Sequence, residues 1–236
     1  MSIPRFDPTR RYTDRAEIMA LLDRWVAANG NGTYVPPDER AAASLELFPD
    51  YGIQQVRDEI AAFVDVVLTL PRRTLIVEIG LGFFGSTHFL WRMMFDRVVT
   101  IERSVERCRS FARAFASFTD GYWCGTDGRS GFVYGPSQDP SLVLRTYRNC
   151  PEGADVVFID GDHALASITA DWLLYRSLAR SDGIVAFHDI QPSLTHASEV
   201  TEFIGMIEAG RLGPTPGPIE RIVHSRHAGI GYYRLG

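Results

Sequence analysis

The chain has 236 residues, a formal net charge of −5 and a hydrophobic content of 45%, which suits one α/β domain with a sizeable core. Its acidic balance disfavours a nucleic-acid partner, and no apolar stretch reaches the roughly 20 residues that span a bilayer. All 24 basic residues are arginine. The absence of lysine excludes Schiff-base chemistry, a phosphate-binding P-loop and a kinase-type lysine. The three cysteines include no C-x-x-C pair, and no signal-peptide core precedes them, so a reducing cytoplasm is expected.

The first 70 residues are predicted to form a helical cap. The polar, arginine-rich residues 1–15 predict a loosely docked lead-in. Apolar residues then recur at helical spacing, and Gly and Pro separate them into helices over 15–28, 45–48 and 56–67. We therefore expect a cap or lid over 1–70 and a Rossmann-like domain over 71–236, in one compact unit.

A nucleotide-binding corner follows the cap. Leu75 to Val77 form a short apolar run typical of a buried parallel strand, and this run leads into Glu78. Three glycines with G-x-G-x-x-G spacing come next, and Ser86 is expected to cap the following helix. These glycines, which let a backbone approach a ligand closely, are Gly80, Gly82 and Gly85.

Strands and helices alternate over the rest of the chain. Strands are predicted near 98–101, 121–124, 154–160, 183–187, 219–223 and 229–233, and helices near 105–115, 141–148, 168–178 and 197–209. This order predicts a doubly wound, mostly parallel sheet of seven strands with the last one antiparallel. Ligands bind outside the carboxyl ends of such strands. Polar residues expected along that edge are Glu78, Glu102, Asp127, Asp160, His163, His188 and Asp189.

The segments LIVEIGLGFFGS, VVTIE, DVVFIDGDH and GIVAFHD together resemble the class I S-adenosylmethionine-dependent methyltransferases. The similarity is greatest to the macrocin O-methyltransferase and cephalosporin-hydroxylase-like group, and it covers residues 52–236. It implies that Glu78 and the glycine turn with Ser86 hold the methionine part of S-adenosylmethionine. Glu102, with Arg103 beside it, would accept the ribose hydroxyls. Asp127 would face the adenine amine, and Asp160 would also contact the cofactor.

The resemblance also implies a divalent metal ion, with Mg²⁺ expected at Asp160 and Asp189, whose carboxylate oxygens suit a hard cation. Relatives often carry an acid where this chain has His188, so the site is either weaker or suited to a softer ion. The alternative is that Asp160 only orients the cofactor and Asp189 is a turn residue. His163 follows Asp160 by three residues and is predicted to be the general base, with a capping histidine as the alternative.

Two other function classes stay open at this point. A nicotinamide-dependent oxidoreductase also uses G-x-G-x-x-G followed by an acid, and a catalytically silent methyltransferase-like module would bind without turnover. The oxidoreductase gives no reason for the IDGDH and FHD segments. The expected partner is a small-molecule acceptor, with oligomeric state left open. Loops at 49–55 and 191–197 are expected to cover the substrate, with Tyr34, Phe48 and Tyr51 near it.

Overall fold

A computed structural model describes residues 5–37, 51–191, 198–214, 217–226 and 228–236. The helices in these ranges are α1 Arg15–Ala27, α2 Arg57–Leu68, α3 Ser86–Met94, α4 Val105–Phe118, α5 Pro140–Asn149, α6 Leu165–Tyr175 and α7 Ser198–Glu208. The strands are β1 Leu75–Ile79, β2 Arg97–Glu102, β3 Ser130–Tyr134, β4 Ala154–Ile159, β5 Ala179–His188, β6 Glu220–Ile222 and β7 Ile230–Arg234. No helix of the described part has both the length and the apolar character needed to cross a bilayer.

The strands form one sheet in the order β3-β2-β1-β4-β5-β7-β6. Strands β1 to β5 pair in parallel, while β7 runs antiparallel to both β5 and β6. The predicted seven-stranded, mostly parallel sheet with an antiparallel last strand is therefore confirmed. The strand order reverses between β1 and β4, since β2 and β3 lie on one side of β1 and β4 and β5 lie on the other. Such sheets bind ligands at this point.

Alternate residues of each strand point to opposite faces of the sheet. In β1, Ile76 faces the layer made by α1 to α4, whereas Val77 faces the layer made by α6 and α7. Both layers are apolar, which explains why β1 and β4 are buried along their whole length. Residues of β1 at even positions therefore face the first layer, and residues at odd positions face the second.

The N-terminal residues pack firmly against the first layer. The prediction of a loosely docked lead-in is wrong for residues 5–12, because Phe6 and Tyr12 are buried. The Phe6 ring lies 5.0 Å from that of Phe89, and Trp25 of α1 stacks on Phe89 at 4.4 Å. These aromatic contacts make the cap helices part of the main core. The helix predicted over 45–48 lies outside the described residues.

The third strand differs from its prediction. Residues 121–124, predicted as a strand, form turns, and β3 is instead Ser130–Tyr134. Val98 of β2 pairs with Ser130, and Glu102 pairs with Tyr134. The later segment forms the strand because it aligns in parallel register with β2. This shift moves the preceding turn to the amino end of the strands.

Candidate functional site

A cleft lies over the glycine turn between β1 and α3. Its floor is the turn itself, residues 81–87, and one wall is the segment Tyr51–Gln55 that precedes α2. Asp160, at the carboxyl end of β4, also lines it. Of the loops predicted to cover the substrate, residues 51–55 therefore form a wall of this cleft. Phe48 and residues 192–197 lie outside the described residues.

The three glycines have different roles. A side chain at Gly80 would lie 2.0 Å from the carbonyl oxygen of Asp160, and φ there is +91°, so this glycine lets the β1 and β4 loops touch. A side chain at Gly85 would lie 2.5 Å from the ring of Phe111, which shows that this glycine serves helix packing. Gly82 alone of the three faces the cleft wall, with a Cβ position 3.2 Å from Gln54 Oε1.

Ser86 does not cap α3. The N-cap is Gly85, in the left-handed region with φ 62°, and it has no side chain to accept from the amides of the first turn. Ser86 instead donates to the carbonyl of Gly52 and accepts from Trp25 Nε1 at 2.9 Å. It thereby ties the cleft wall and α1 to the glycine turn, while the first-turn amides keep their capacity to bind an anion.

Glu78 lies beneath α3 and does not line the cleft. Its side chain points to the same face of the sheet as that of Ile76 and is fully buried. The carboxylate accepts hydrogen bonds from Trp91 Nε1 at 2.9 Å and from Thr100 Oγ1 at 2.6 Å. Burial raises its pKa to about 7, against the opposing effect of these hydrogen bonds. Its predicted contact with the cofactor would require this buried network to open.

Glu102 lies at the carboxyl end of β2, beside the glycine turn. Its two carboxylate oxygens accept from Leu81 N at 3.0 Å and from Ser104 N at 2.8 Å. These bonds fix the carboxylate against the turn and leave further lone pairs for hydroxyl donors. Arg103 follows on the same edge and is exposed.

Asp127 lies at the opposite edge of the sheet, because it precedes β3 rather than following it. It accepts from the buried Arg92 Nη2 at 2.7 Å and from Tyr122 Oη at 3.0 Å. The prediction that it faces adenine is therefore wrong, and the cause is the misplaced third strand. The residues that do follow β3 at the cleft edge are 135–138, where Gln138 donates to Asp171 Oδ1 at 2.8 Å.

A second group of polar side chains gathers where β4 and β5 end. One ligand atom each from Asp160, His163 and Asp189 lies within 4.8 Å of the others, and all three residues are partly exposed. Asp189 adopts φ 58°, a left-handed conformation that is uncommon for a non-glycine residue and is often retained at functional sites. These donors, two carboxylates and an imidazole, fit a divalent metal ion.

His188 lies behind this group and links the two carboxylates. Its Nδ1 is 3.3 Å from Asp160 Oδ1 and 3.0 Å from Asp189 Oδ2, and the residue is only 3% exposed. Its Nε2 has no hydrogen-bond partner among the described residues. His188 is thus placed to orient the carboxylates, whereas His163, with Nε2 3.1 Å from Asp189 Oδ2, shares their open side.

The charges of the four groups depend on one another. Burial lowers the pKa of His188, but the charges of Asp189 and Asp160 outweigh it and raise this pKa well above its usual value. Burial lowers the pKa of His163, but the hydrogen bond to Asp189 and the charges of Asp189 and Asp160 together outweigh it, so this pKa is also raised. The pKa of Asp189 is lowered by both histidines despite burial. The arrangement therefore favours an ionised Asp189 held by imidazole N–H donors.

Comparisons with known proteins agree with this fold. Residues 77–190, just under half of the chain, match a family described as a methyltransferase domain. The O-methyltransferase TomG from Streptomyces achromogenes, solved with S-adenosylmethionine, is 19% identical over 69% of this chain and 73% of its own, with a TM-score of 0.52. The MycE methyltransferase of the mycinamycin pathway, solved with Mg and S-adenosylhomocysteine, is 16% identical over 84% of this chain and 55% of its own, with a TM-score of 0.50.

A putative caffeoyl-CoA O-methyltransferase from Staphylococcus aureus is 18% identical over 74% of this chain and 81% of its own, with a TM-score of 0.50. No curated protein sequence matches the chain. At these identities the likeness to the solved structures is one of fold. The family match and the fold both agree with the predicted class: residues 77–190 match a methyltransferase domain, and the chain shares its fold with solved O-methyltransferases such as TomG.

Proposed function

We propose that the protein transfers a methyl group from S-adenosylmethionine to an oxygen of a small-molecule acceptor, and that a divalent metal ion assists the reaction. The observation that carries the proposal is the group formed by Asp160, His163 and Asp189, which shares Asp160 with the cleft over the glycine turn. A methyl donor in the cleft and an ion at this group would therefore be neighbours.

The chain offers three features for binding the methyl donor. The first-turn amides of α3 face the cleft without a side-chain cap, and they suit the carboxylate of a methionine group. Gly82 leaves room above the turn. Glu102 is fixed by two backbone amides at the end of β2, where a carboxylate can accept ribose hydroxyls.

Asp160 and Asp189 would hold the ion, with His163 as the third ligand in place of the predicted His188. A hard cation bound there supplies charge that lowers the pKa of an acceptor hydroxyl. His188 would keep the carboxylates in position through its Nδ1–H. The Mg in the MycE structure supports the same kind of ion for this chain, although an imidazole ligand also suits a softer metal such as Mn²⁺.

His163 was predicted to be the general base, and its hydrogen bond to Asp189 changes what that role requires. The imidazole must release its Nε2 proton either to bind the ion or to accept a proton from the acceptor. Its place among the ligand atoms favours the first role. A base then has to act from solvent or from the acceptor's surroundings.

Calorimetry on the wild-type protein with S-adenosylhomocysteine and with NAD tests the proposed class of ligand. We expect binding of the former and none of the latter. Transfer of labelled methyl groups from S-adenosylmethionine to a panel of phenols and hydroxylated sugars, with and without a chelator, tests the reaction. Binding without transfer to any acceptor would favour a silent module, and binding of NAD alone would favour an oxidoreductase. Transfer that survives exhaustive chelation would exclude a role for the metal ion in the reaction.

A further inference from the structure

Gln55 is buried in the wall of the cleft, and half of its amide group has no partner. The residue is 1% exposed, and its Nε2 donates to Asp160 Oδ2 at 2.8 Å. Its Oε1 is buried and has no hydrogen-bond partner among the described residues. A buried acceptor without a partner is unfavourable, so it indicates a missing donor.

The orientation of the amide follows from its partner. A carboxylate oxygen only accepts, so the nitrogen of Gln55 must face Asp160 and the oxygen must face away from it. Asp160 in turn uses its two oxygens on two sides. Oδ1 lies toward His188 and the proposed ion site, and Oδ2 lies toward Gln55.

The methionine part of the cofactor carries an α-ammonium group, for which an acidic partner was predicted at Glu78. That carboxylate is fully buried and already engaged by Trp91 and Thr100. Gln55 and Asp160, in contrast, both line the cleft over the glycine turn. They present an unpaired amide oxygen and a carboxylate, the groups that bind an ammonium ion through charge-assisted hydrogen bonds.

We propose that Gln55 Oε1 and Asp160 together bind the α-ammonium group of S-adenosylmethionine. The inference rests on the proposed function, and it gives the N-terminal segment a direct part in binding the methyl donor. Gln55 lies outside the methyltransferase-domain match at 77–190, so this chain supplies part of its donor site from the cap. Asp160 would then serve both the donor and the ion.

The test compares two ligands with three forms of the full-length protein. The ligands are S-adenosylhomocysteine and its desamino analogue, in which hydrogen replaces the α-ammonium group. The proteins are the wild type, Gln55→Met, which keeps the volume but removes both the acceptor and the amide donor to Asp160, and Gln55→Glu, which keeps an acceptor oxygen but also lacks that donor. Affinities come from calorimetry, and Mn²⁺ affinity is measured in parallel by electron paramagnetic resonance.

We expect the wild type to prefer S-adenosylhomocysteine about 10- to 100-fold over the analogue, as for hydrogen bonds to a charged group. Gln55→Met should lose about tenfold or more in affinity for S-adenosylhomocysteine with little change for the analogue. Gln55→Glu should retain the preference. Mn²⁺ affinity should stay near the wild-type value in Gln55→Met.

Equal losses for both ligands in Gln55→Met would show a purely structural role and would overturn the inference. An unchanged preference with weakened Mn²⁺ binding would also overturn it, because Gln55 would then serve the ion site through Asp160 and not the ammonium group. A wild type that binds both ligands equally would refute the recognition of the ammonium group but would leave the proposed function standing. A wild type that binds neither ligand would overturn the proposed function as well.

Discussion

Replacing Glu78 with glutamine should stabilise the protein at alkaline pH. The carboxylate is fully buried and its pKa is raised to about 7, chiefly by burial, from a usual value of 4.5. The folded state therefore keeps a proton that the unfolded state releases. The stability that this group contributes is complete below about pH 4.5 and is lost as the pH rises through 7.

The size of the effect follows from the shift. A displacement of about 2.5 pKa units corresponds to about 3 kcal/mol at 25 °C. A glutamine can keep the network when His88 changes tautomer. The glutamine oxygen accepts from Trp91 and its nitrogen donates to Thr100, whose hydroxyl turns to donate to His88 Nδ1, 2.7 Å away. The His88 Nε2–H then donates to Ser130 Oγ at 2.9 Å. The substitution therefore removes the titrating charge without leaving an unpaired group.

Urea denaturation of the wild type and Glu78→Gln at pH 5, 6, 7 and 8 measures this difference. The free energy of unfolding of the variant relative to the wild type should rise by about 2.5 kcal/mol between pH 5 and pH 8, and other titrating groups cancel in the comparison. Parallel pH profiles would refute a raised pKa for Glu78. Affinity for S-adenosylhomocysteine should be unchanged, and a large loss would restore Glu78 as a cofactor contact.

Three further substitutions test separate parts of the account. Asp127→Asn should lower the free energy of unfolding by about 3 kcal/mol, as for breaking a buried ion pair, because it leaves the buried charge of Arg92 without its counter-charge. The affinity for S-adenosylhomocysteine should not change, and a loss of affinity would support a contact between Asp127 and adenine. Glu102→Ala should weaken that affinity by about 1.5–3 kcal/mol in calorimetry, and an unchanged value would contradict the ribose role. His163→Ala should weaken Mn²⁺ binding more than about tenfold; unchanged ion affinity with turnover reduced about 10²–10⁴-fold would instead identify the general base.

The residues that the structure brings together at the ends of β4 and β5 could be predicted from the sequence. Asp160, His163 and Asp189 each follow an apolar strand, and the carboxyl ends of adjacent parallel strands meet at one edge. Their proximity therefore follows from the strand order alone. Which histidine shares the open side could not be predicted, because it depends on the turn after β4 and on the left-handed conformation of Asp189.

The third strand could not be placed from local pattern. Residues 121–124 and 130–134 are both short segments with aromatic residues, and only the parallel register with β2 selects the second. The error moved Asp127 to the wrong edge of the sheet. Glu78 illustrates a different limit. Its position near the end of β1 predicted a contact with the cofactor, but its side chain points to the same face of the sheet as that of Ile76 and so lies under α3.

Gln55 had no signal in the sequence. It precedes α2, and its contact with Asp160 joins residues 105 positions apart. Contacts of this kind arise from how the cap helices pack on the sheet, through residues such as Trp25 and Phe63. The same packing explains why Phe6 and Tyr12, in the segment predicted to be loosely docked, lie in the main core.

The central claim is that the methyl donor and a metal ion bind side by side, at the cleft and at the carboxylate group that share Asp160. Nuclear magnetic resonance of S-adenosylmethionine carrying a ¹³C-labelled methyl group, bound to the protein with Mn²⁺ in place of Mg²⁺, measures their separation directly. The account predicts strong paramagnetic broadening of the methyl signal, which Asp189→Asn should abolish while the donor stays bound. A sharp methyl signal with both donor and Mn²⁺ bound to the wild type would contradict it.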